Sequence, residues 1–272
     1  MYNKENGLKG DNTFMMLKDK KGFICDMDGV IYHGNDLLPG ADRFIEWLHA
    51  ENKRFLFLTN SSGRSPLELR QKLGRMGLDV DETHFYTSAL STAAFLNSQK
   101  PGCSAYVIGE PGLLNALYEA GITMNDVDPD YVVVGETINY NFSNVSKAVE
   151  LVNNGAKLIG TNSDITGPIE GGIIAPACKA LISPIEVATG KRAYFLGKPN
   201  PLMMRCGLNI LDCDEKDVAI IGDRMDTDII AGIESEIETV LVLTGVTSRS
   251  DIEKFAYRPK IVLDSVADVI DN

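Results

Sequence analysis

Asp26 and Asp28 stand one residue apart in "FICDMDGVIYHG" (23–34), directly after a short apolar run. Residues i and i+2 of an extended segment point to the same side, so the two carboxyls begin close together. Like charges that close raise one another's pKa unless a cation neutralises them. Two further apolar runs end in polar clusters: "RFLFL" in Thr59-Asn60-Ser61-Ser62, and "VAIIG" in Asp223-Arg224-Met225-Asp226-Thr227-Asp228. Acids from two such clusters, without a grouping of His or Cys, suit a hard, oxygen-seeking cation such as Mg²⁺ rather than Zn²⁺. Lys198, in "FLGKPNP", is the candidate cation for an anionic ligand. The plainer alternative assigns strand-end aspartates to the caps of turns and helices, and Lys198 to solvent. It accounts for any one cluster, but poorly for all of them together.

These residues need elements to hold them. Short β-branched and aromatic runs alternate with helix-length amphipathic stretches along almost the whole chain. Expected strands cover 22–26, 54–59, 105–109, 130–135, 157–161, 218–222, 239–244 and 260–263, and 192–197 also has strand character. Expected helices cover 40–52, 65–76, 88–98, 111–120, 142–154, 176–189, 199–211 and 225–232, with Pro199 as the start of the one after Lys198. Continuous apolar strands separated by helices make an α/β fold whose parallel sheet is covered on both faces. In such sheets ligands bind outside the carboxyl ends of the strands, so the three clusters form one site if their strands are neighbours. "VIGE" at 107–110 and "VVGE" at 133–136 are alike but too short to define a repeat.

At 272 residues the chain is long enough for one large or two ordinary domains. Its net charge of −12 argues against nucleic-acid or anionic-membrane partners, while a small anionic ligand needs only a local positive site. No run reaches the roughly 18 apolar residues of a membrane span. Residues 1–21 lack an apolar signal core and read as a loose leader. Five cysteines without a C-x-x-C pair read as reduced thiols in a cytoplasmic protein. The three histidines (33, 49, 84) show no metal spacing; His33, just past the Asp pair, is within reach of the site, but a loop surface position is the favoured reading. Neither G-K pair makes a Walker A loop, no G-x-G-x-x-G follows a strand, and no Ser sits in a G-x-S-x-G elbow.

Taken in order, "DMDGV", "TNSS", "GKPNP" and "GDRMDTD" resemble the four motifs of the haloacid dehalogenase (HAD) superfamily. "VGETINYNFSNVSKAVELVNNGAKLIGTNSD" and "AGIESEIETVLVLTGVTSRSDIEKFAYRP" resemble its NagD-like branch, and the similarity runs from about residue 22 to the end. The resemblance implies a Rossmann-like core at 22–80 and 190–272 and an inserted α/β cap at 81–189. It implies a Mg²⁺-dependent phosphomonoesterase acting on small phosphorylated metabolites, nucleoside monophosphates and sugar phosphates among them. Asp26 is then the nucleophile that becomes an aspartyl-phosphate. Asp28 protonates the leaving oxygen and afterwards activates water. Asp26, Asp223 and the backbone carbonyl of Asp28 are the implied metal ligands, with Asp228 ordering metal-bound water. Thr59, Asn60, Ser61 and Lys198 are the implied holders of the phosphoryl oxygens.

An acid at position 28 favours a phosphatase over a dehalogenase, whose reaction has no leaving alkoxide to protonate. In the NagD-like branch the cap closes over the site and excludes water. The Gly- and Pro-rich turn at 161–177, longer than the branch's usual version, carries Asn162 and Asp164 and is the expected reach toward the leaving group. An apolar surface on the cap would let copies of the chain associate. Two other readings use the same chemistry. A phosphomutase or phosphotransferase would pass the phosphoryl group to a second hydroxyl. A phospho-accepting signalling module also gathers acids, Thr and Lys around Mg²⁺, but needs only about half this length and no such insertion.

Overall fold

The computed structural model describes residues 16–168 and 174–272. Residues 1–15 of the expected leader and 169–173 of the expected reaching turn lie outside the described residues. In chain order the strands are β1 (Gly22–Cys25), β2 (Tyr32–His33), β3 (Asp36–Leu37), β4 (Arg54–Thr59), β5 (Phe85–Thr87), β6 (Ser104–Ile108), β7 (Thr123–Met124) and β8 (Tyr131–Val134). They continue with β9 (Lys157–Gly160), β10 (Thr166–Pro168), β11 (Ile174–Pro176), β12 (Tyr194–Phe195), β13 (Val218–Gly222), β14 (Glu238–Val242) and β15 (Ile261–Leu263). The α-helices are α1 (Ala41–Ala50), α2 (Pro66–Arg75), α3 (Ser88–Gln99), α4 (Pro111–Glu119), α5 (Phe142–Asn153), α6 (Cys178–Thr189), α7 (Pro201–Leu211) and α8 (Ile230–Glu234).

Among the described residues two parallel sheets form. The first has the order β15-β14-β13-β1-β4-β5, and the second β12-β9-β8-β6-β7. Both faces of the first sheet are buried, and strand period 2 divides its side chains between them. Phe23, Cys25, Phe55, Phe57, Ala219 and Ile221 face one cluster with Phe44 and Leu48 of α1 and Leu69 and Leu73 of α2. Ile24, Leu56, Leu58, Val218 and Ile220 face the other with Met203 and Met204 of α7. The second sheet repeats the plan, with Ala105, Val133 and Ile159 toward α3 and α4, and Val132, Val134 and Leu158 toward α5 and α6. These strands read as unbroken apolar runs because neither face meets water.

Three local features differ from the sequence expectation. Phe85–Thr87 pairs with β4 of the first sheet and Tyr194–Phe195 with β9 of the second. Sheet membership therefore changes after Thr87 and after Phe195, rather than at the expected 80/81 and 189/190; strands of two or three residues carry too little pattern to be placed from sequence. The helix after Lys198 starts at Pro201, where the Asn200 side chain accepts a hydrogen bond from Leu202 N at 2.9 Å, and not at Pro199. The end of the expected leader is packed: Leu17 is buried, and Lys20 pairs with Glu238 at 2.7 Å. Among the described residues no helix is long and apolar enough to cross a membrane.

Helix α2 shows how local chemistry sets an element. Ser65 and Glu68 form a reciprocal capping box and Pro66 takes the first turn, where its missing N–H costs nothing. The segment just before this cap is where the two sheets meet. Gly112 N, at the start of α4, donates to Gly63 O at 3.2 Å, and a Cβ on Gly112 would lie 2.6 Å from Arg64 C and 2.7 Å from Gly63 C. Backbone on both sides cannot yield as a side chain can. Gly112→Ala should therefore destabilise the protein by about 1–3 kcal/mol. Gly74→Ala, in α2 with nothing within 4 Å of the added Cβ, should instead stabilise it by roughly 0.5–1 kcal/mol. Thermal unfolding of both variants checks the contrast, and equal Tm shifts would contradict the close approach.

Candidate active site

Strand β1 lies between β13 and β4, so the three polar clusters emerge side by side at the carboxyl end of one parallel sheet. Asp26 extends β1 by one residue, its N–H donating to Ile221 O at 2.8 Å. Lys198 Nζ donates to Asp26 Oδ1 and to Asp228 Oδ1, both at 2.7 Å, and Lys198 is only 2% exposed. Carboxylate oxygens of Asp26, Asp223 and Asp228 lie within 4.8 Å of one another. Lys198 thus brings one positive charge to three carboxylates. Asp228, expected one layer out from the metal, belongs to this cluster; its second oxygen accepts Arg224 N at 3.2 Å.

The electrostatics follow from that crowding. Burial, reinforced by the charges of Asp228 and Asp26, pushes the Asp223 carboxyl up to about 8. Asp26 rises to about 6, because burial outweighs the pairing with Lys198. Burial also works against the Lys198 ammonium, but the Asp228 and Asp26 charges prevail and hold its pKa above the ordinary range. Glycines leave the room these carboxylates occupy. A Cβ at Gly245 would overlap Asp223 Oδ2, and one at Gly222 would overlap Asp228. Gly29, at φ +82°, would set a Cβ 2.6 Å from Asp223 Oδ2.

Asp28 stands apart. Its side chain is 39% exposed and is not among the three clustered carboxylates. Burial raises its pKa, while the charges of Lys72, His33 and Arg64 pull it back. His33 does reach this residue, with Nδ1 3.5 Å from Asp28 Oδ1. Sequence reasoning missed Lys72, whose buried ammonium sits 3.6 Å from the Tyr32 ring centroid and is pushed down to about 8 by burial and then by Arg64.

The loop after β4 is a junction. Thr59 Oγ1 accepts Ser61 N at 3.1 Å. Asn60 uses its side chain as a short strand would: Oδ1 accepts Lys198 N at 2.7 Å, and Nδ2 donates to Lys198 O at 3.1 Å. The same Nδ2 donates to Asp164 Oδ2 at 3.0 Å, and Asn162 Nδ2 donates to Asn60 O at 2.8 Å. Asp164 also lies 3.7 Å from Arg224, which pairs with Asp226. The Asn60 amide is thus engaged in fixing Lys198 and Asp164, and Asn162 and Asp164 are drawn against the first sheet. A further loop was missed from sequence. Val246 N donates to Asp223 Oδ2 at 2.7 Å, and Thr244 Oγ1 to Gly29 O at 2.6 Å. Its signal was present in "TGVT" (244–247), one more polar cluster ending an apolar run.

The acid cluster fits a divalent cation. Asp223 Oδ1 is buried without a hydrogen-bond partner among the described residues, an acceptor whose desolvation costs about 1–3 kcal/mol if nothing meets it. All the clustered donors are carboxylate oxygens, the ligand type hard cations take. The sign of the pH effect follows. Asp223 titrates near 3.8 in the unfolded chain and about 8 when folded, so the folded protein holds the extra proton and loses stability as pH climbs between those values. A bound cation displaces that proton. Using Mg²⁺ as the probe, its Tm increment should be larger at pH 8 than at pH 6, near the Asp26 value of about 6. Asp223→Asn should lose most of the increment and flatten the pH-dependent decline. An unchanged increment in that variant would remove Asp223 from the cation site.

Comparison with known proteins agrees with this geometry. The haloacid dehalogenase-like hydrolase family matches residues 23–123, and a HAD-hydrolase-like family matches residues 195–269. The chain is 43% identical to a dihydroxyacetone phosphatase of Corynebacterium glutamicum, over 92% of this chain and 90% of that protein. It is 41% identical to the ribonucleotide monophosphatase NagD of Escherichia coli, over 92% of this chain and 98% of that one, and the solved NagD structure superposes with a TM-score of 0.86. An acid sugar phosphatase of Staphylococcus saprophyticus is 40% identical over 93% of this chain and 98% of its own length. With four motifs meeting at one sheet end and likeness running through both sheets, the chain belongs to the haloacid dehalogenase-like hydrolases, in their NagD-like phosphatase branch.

Proposed function

We propose that this phosphatase is a Mg²⁺-dependent phosphomonoesterase that hydrolyses small phosphorylated metabolites through an aspartyl-phosphate on Asp26. One observation carries the reading: Asp26 is held by Lys198 inside a buried carboxylate cluster, while Asp28, two residues on, keeps its carboxyl outside it. Asp26, Asp223 and the Asp28 carbonyl would hold Mg²⁺, which when bound neutralises the acids and the phosphoryl oxygens. The Asp26 carboxylate attacks phosphorus and the bond to the leaving oxygen breaks. Asp28 gives that oxygen its proton. Asp28 then takes a proton from water as the water attacks the aspartyl-phosphate, releasing orthophosphate and restoring Asp26. Lys198 orients Asp26 and offers its charge to the transferring group, with Thr59 and Ser61 on the neighbouring loop.

Relatives named for dihydroxyacetone, ribonucleotide and acid sugar substrates point to compact phosphate monoesters. The second sheet is the proposed cap, with Asn162 and Asp164 on its reaching segment, and its exposed Ile138, Phe142 and Val187 would support association of copies. The five thiols are unpaired, which supports a reducing, cytoplasmic setting. Phosphate release from dihydroxyacetone phosphate, ribonucleoside monophosphates and sugar phosphates, with and without Mg²⁺, tests the reading directly; no release from any of them would end it.

Two substitutions separate the roles. Asp26→Asn keeps the shape but removes the attacking charge, so turnover of 4-nitrophenyl phosphate should vanish with the fold intact by circular dichroism. Asp28→Asn should also lose turnover yet keep the Mg²⁺-induced rise in Tm, because its carboxyl stays off the metal. Residual activity near wild type in the first variant, or loss of the Mg²⁺ response in the second, would overturn the assignment.

A further inference from the structure

The two "VGE"-like stretches end adjacent parallel strands, β6 and β8, and place Glu110 and Glu136 on the same side of the second sheet. Glu110 Oε1 accepts Thr137 Oγ1 at 2.7 Å and Ile138 N at 3.2 Å, closing the segment just beyond Glu136. Glu136 itself turns to the first sheet. Its Oε2 accepts Ser62 N at 3.2 Å and Ser62 Oγ at 3.4 Å, and its Oε1 accepts Asn162 Nδ2 at 2.7 Å. Thr161 Oγ1 donates in turn to Ser62 Oγ at 3.3 Å. The Ser62 side chain packs against Gly135, where an added Cβ would lie 2.7 Å from Ser62 Oγ.

The chemistry here calls for an acceptor-only group. An amide N–H, a hydroxyl and a side-chain amide all donate to Glu136. Asn162 cannot turn its oxygen to it without losing the hydrogen bond its Oδ1 accepts from Asp164 N at 3.1 Å. An ionised carboxylate satisfies every donor, whereas Gln would set one donor against another. Ser62 is fully buried and closes the loop that carries Thr59, Asn60 and Ser61.

We propose that Glu136 is a positioning residue for phosphoryl transfer: a carboxylate supplied by the second sheet that fixes the Asn60–Ser62 loop of the first. It acts through that loop without touching the reacting atoms. The phosphate-binding geometry therefore depends on the second sheet even for a substrate too small to contact it. This inference rests on the proposed phosphatase reading, and one experiment separates the two.

Wild type, Glu136→Gln and Glu136→Ala are compared by three measurements: steady-state turnover of 4-nitrophenyl phosphate, inhibition by orthophosphate, and amide hydrogen exchange across residues 59–64. Losing charge-assisted hydrogen bonds of this kind should raise KM and the orthophosphate inhibition constant about tenfold in Glu136→Ala, with a smaller rise in Glu136→Gln. Exchange at 59–64 should quicken in the same order, while the Mg²⁺-induced Tm increment stays at the wild-type value. If Glu136→Ala does not fold, the isosteric Gln variant carries the comparison. Wild-type KM, inhibition and exchange in a folded variant would overturn the proposal. So would a loss of the Mg²⁺ response in parallel with Tm, which marks a general structural role. If wild type releases no phosphate, the phosphatase reading fails, and the exchange data still decide whether Glu136 holds the loop.

Discussion

Three carboxylates within 4.8 Å of one another at the end of a buried sheet repel strongly. At 4 Å, two unit charges cost about 4 kcal/mol at an effective dielectric near 20. Lys198 offsets part of this by bridging Asp26 and Asp228, and the Val246 N–H takes one oxygen of Asp223. The other Asp223 oxygen has no partner among the described residues. What remains is a site short of positive charge, which favours binding a cation and, beside it, an anion that shares the cation. Gly222 and Gly245 follow from the same crowding, since a side chain at either would take the space of a carboxylate.

The source of the neutralising cation ties the two sheets together. Lys198 follows β12 of the second sheet by three residues and precedes α7 of the first. The return crossing therefore delivers it to Asp26. Asn60 grips the Lys198 peptide from both sides, and the same amide reaches Asp164. Any shift of the second sheet would pull on the cation and on the loop after β4 together. The position of the second sheet is thus linked to the surroundings of Asp26 through Lys198 and Asn60.

Separation of the two aspartates is the complementary device. Side chains at 26 and 28 start on the same side of the extended chain, yet only Asp26 enters the carboxylate cluster. Beyond Asp28 the chain turns back, with Gly29 N donating to Tyr32 O at 2.8 Å. Asp28 is left near His33, Lys72 and Arg64 and partly open to solvent. One carboxyl is thus buried and charge-paired while the other can exchange protons, a division of environments that suits nucleophile and acid–base roles.

Much of this was written in local chemistry. Strands β1, β4 and β13 were legible because both faces are buried, which leaves unbroken apolar runs ending abruptly in Asp, Asn or Ser. Helix α2, capped by Ser65 and Glu68, is likewise set within a few residues, whereas α7 starts at Pro201 and not at the expected Pro199 because the Asn200 side chain caps it. Asp26, Asp28, Asp223 and Lys198 stood out by type and place; sheet order then brought Asp26 and Asp223 together, and the crossing after β12 brought Lys198 to them. The short strands β5 and β12 were not assignable to a sheet, because pairing partners more than 20 residues away decide membership and the strands themselves carry two or three residues. Lys72 and Glu136 were silent for a related reason. A lysine on an amphipathic helix and a glutamate after a strand look solvent-exposed until packing surrounds them. Residue type and spacing determined which groups could hold a cation and a phosphoryl group; only the tertiary structure decided which of them lost water and which gained a partner, because desolvation and hydrogen bonding depend on neighbours distant in the chain.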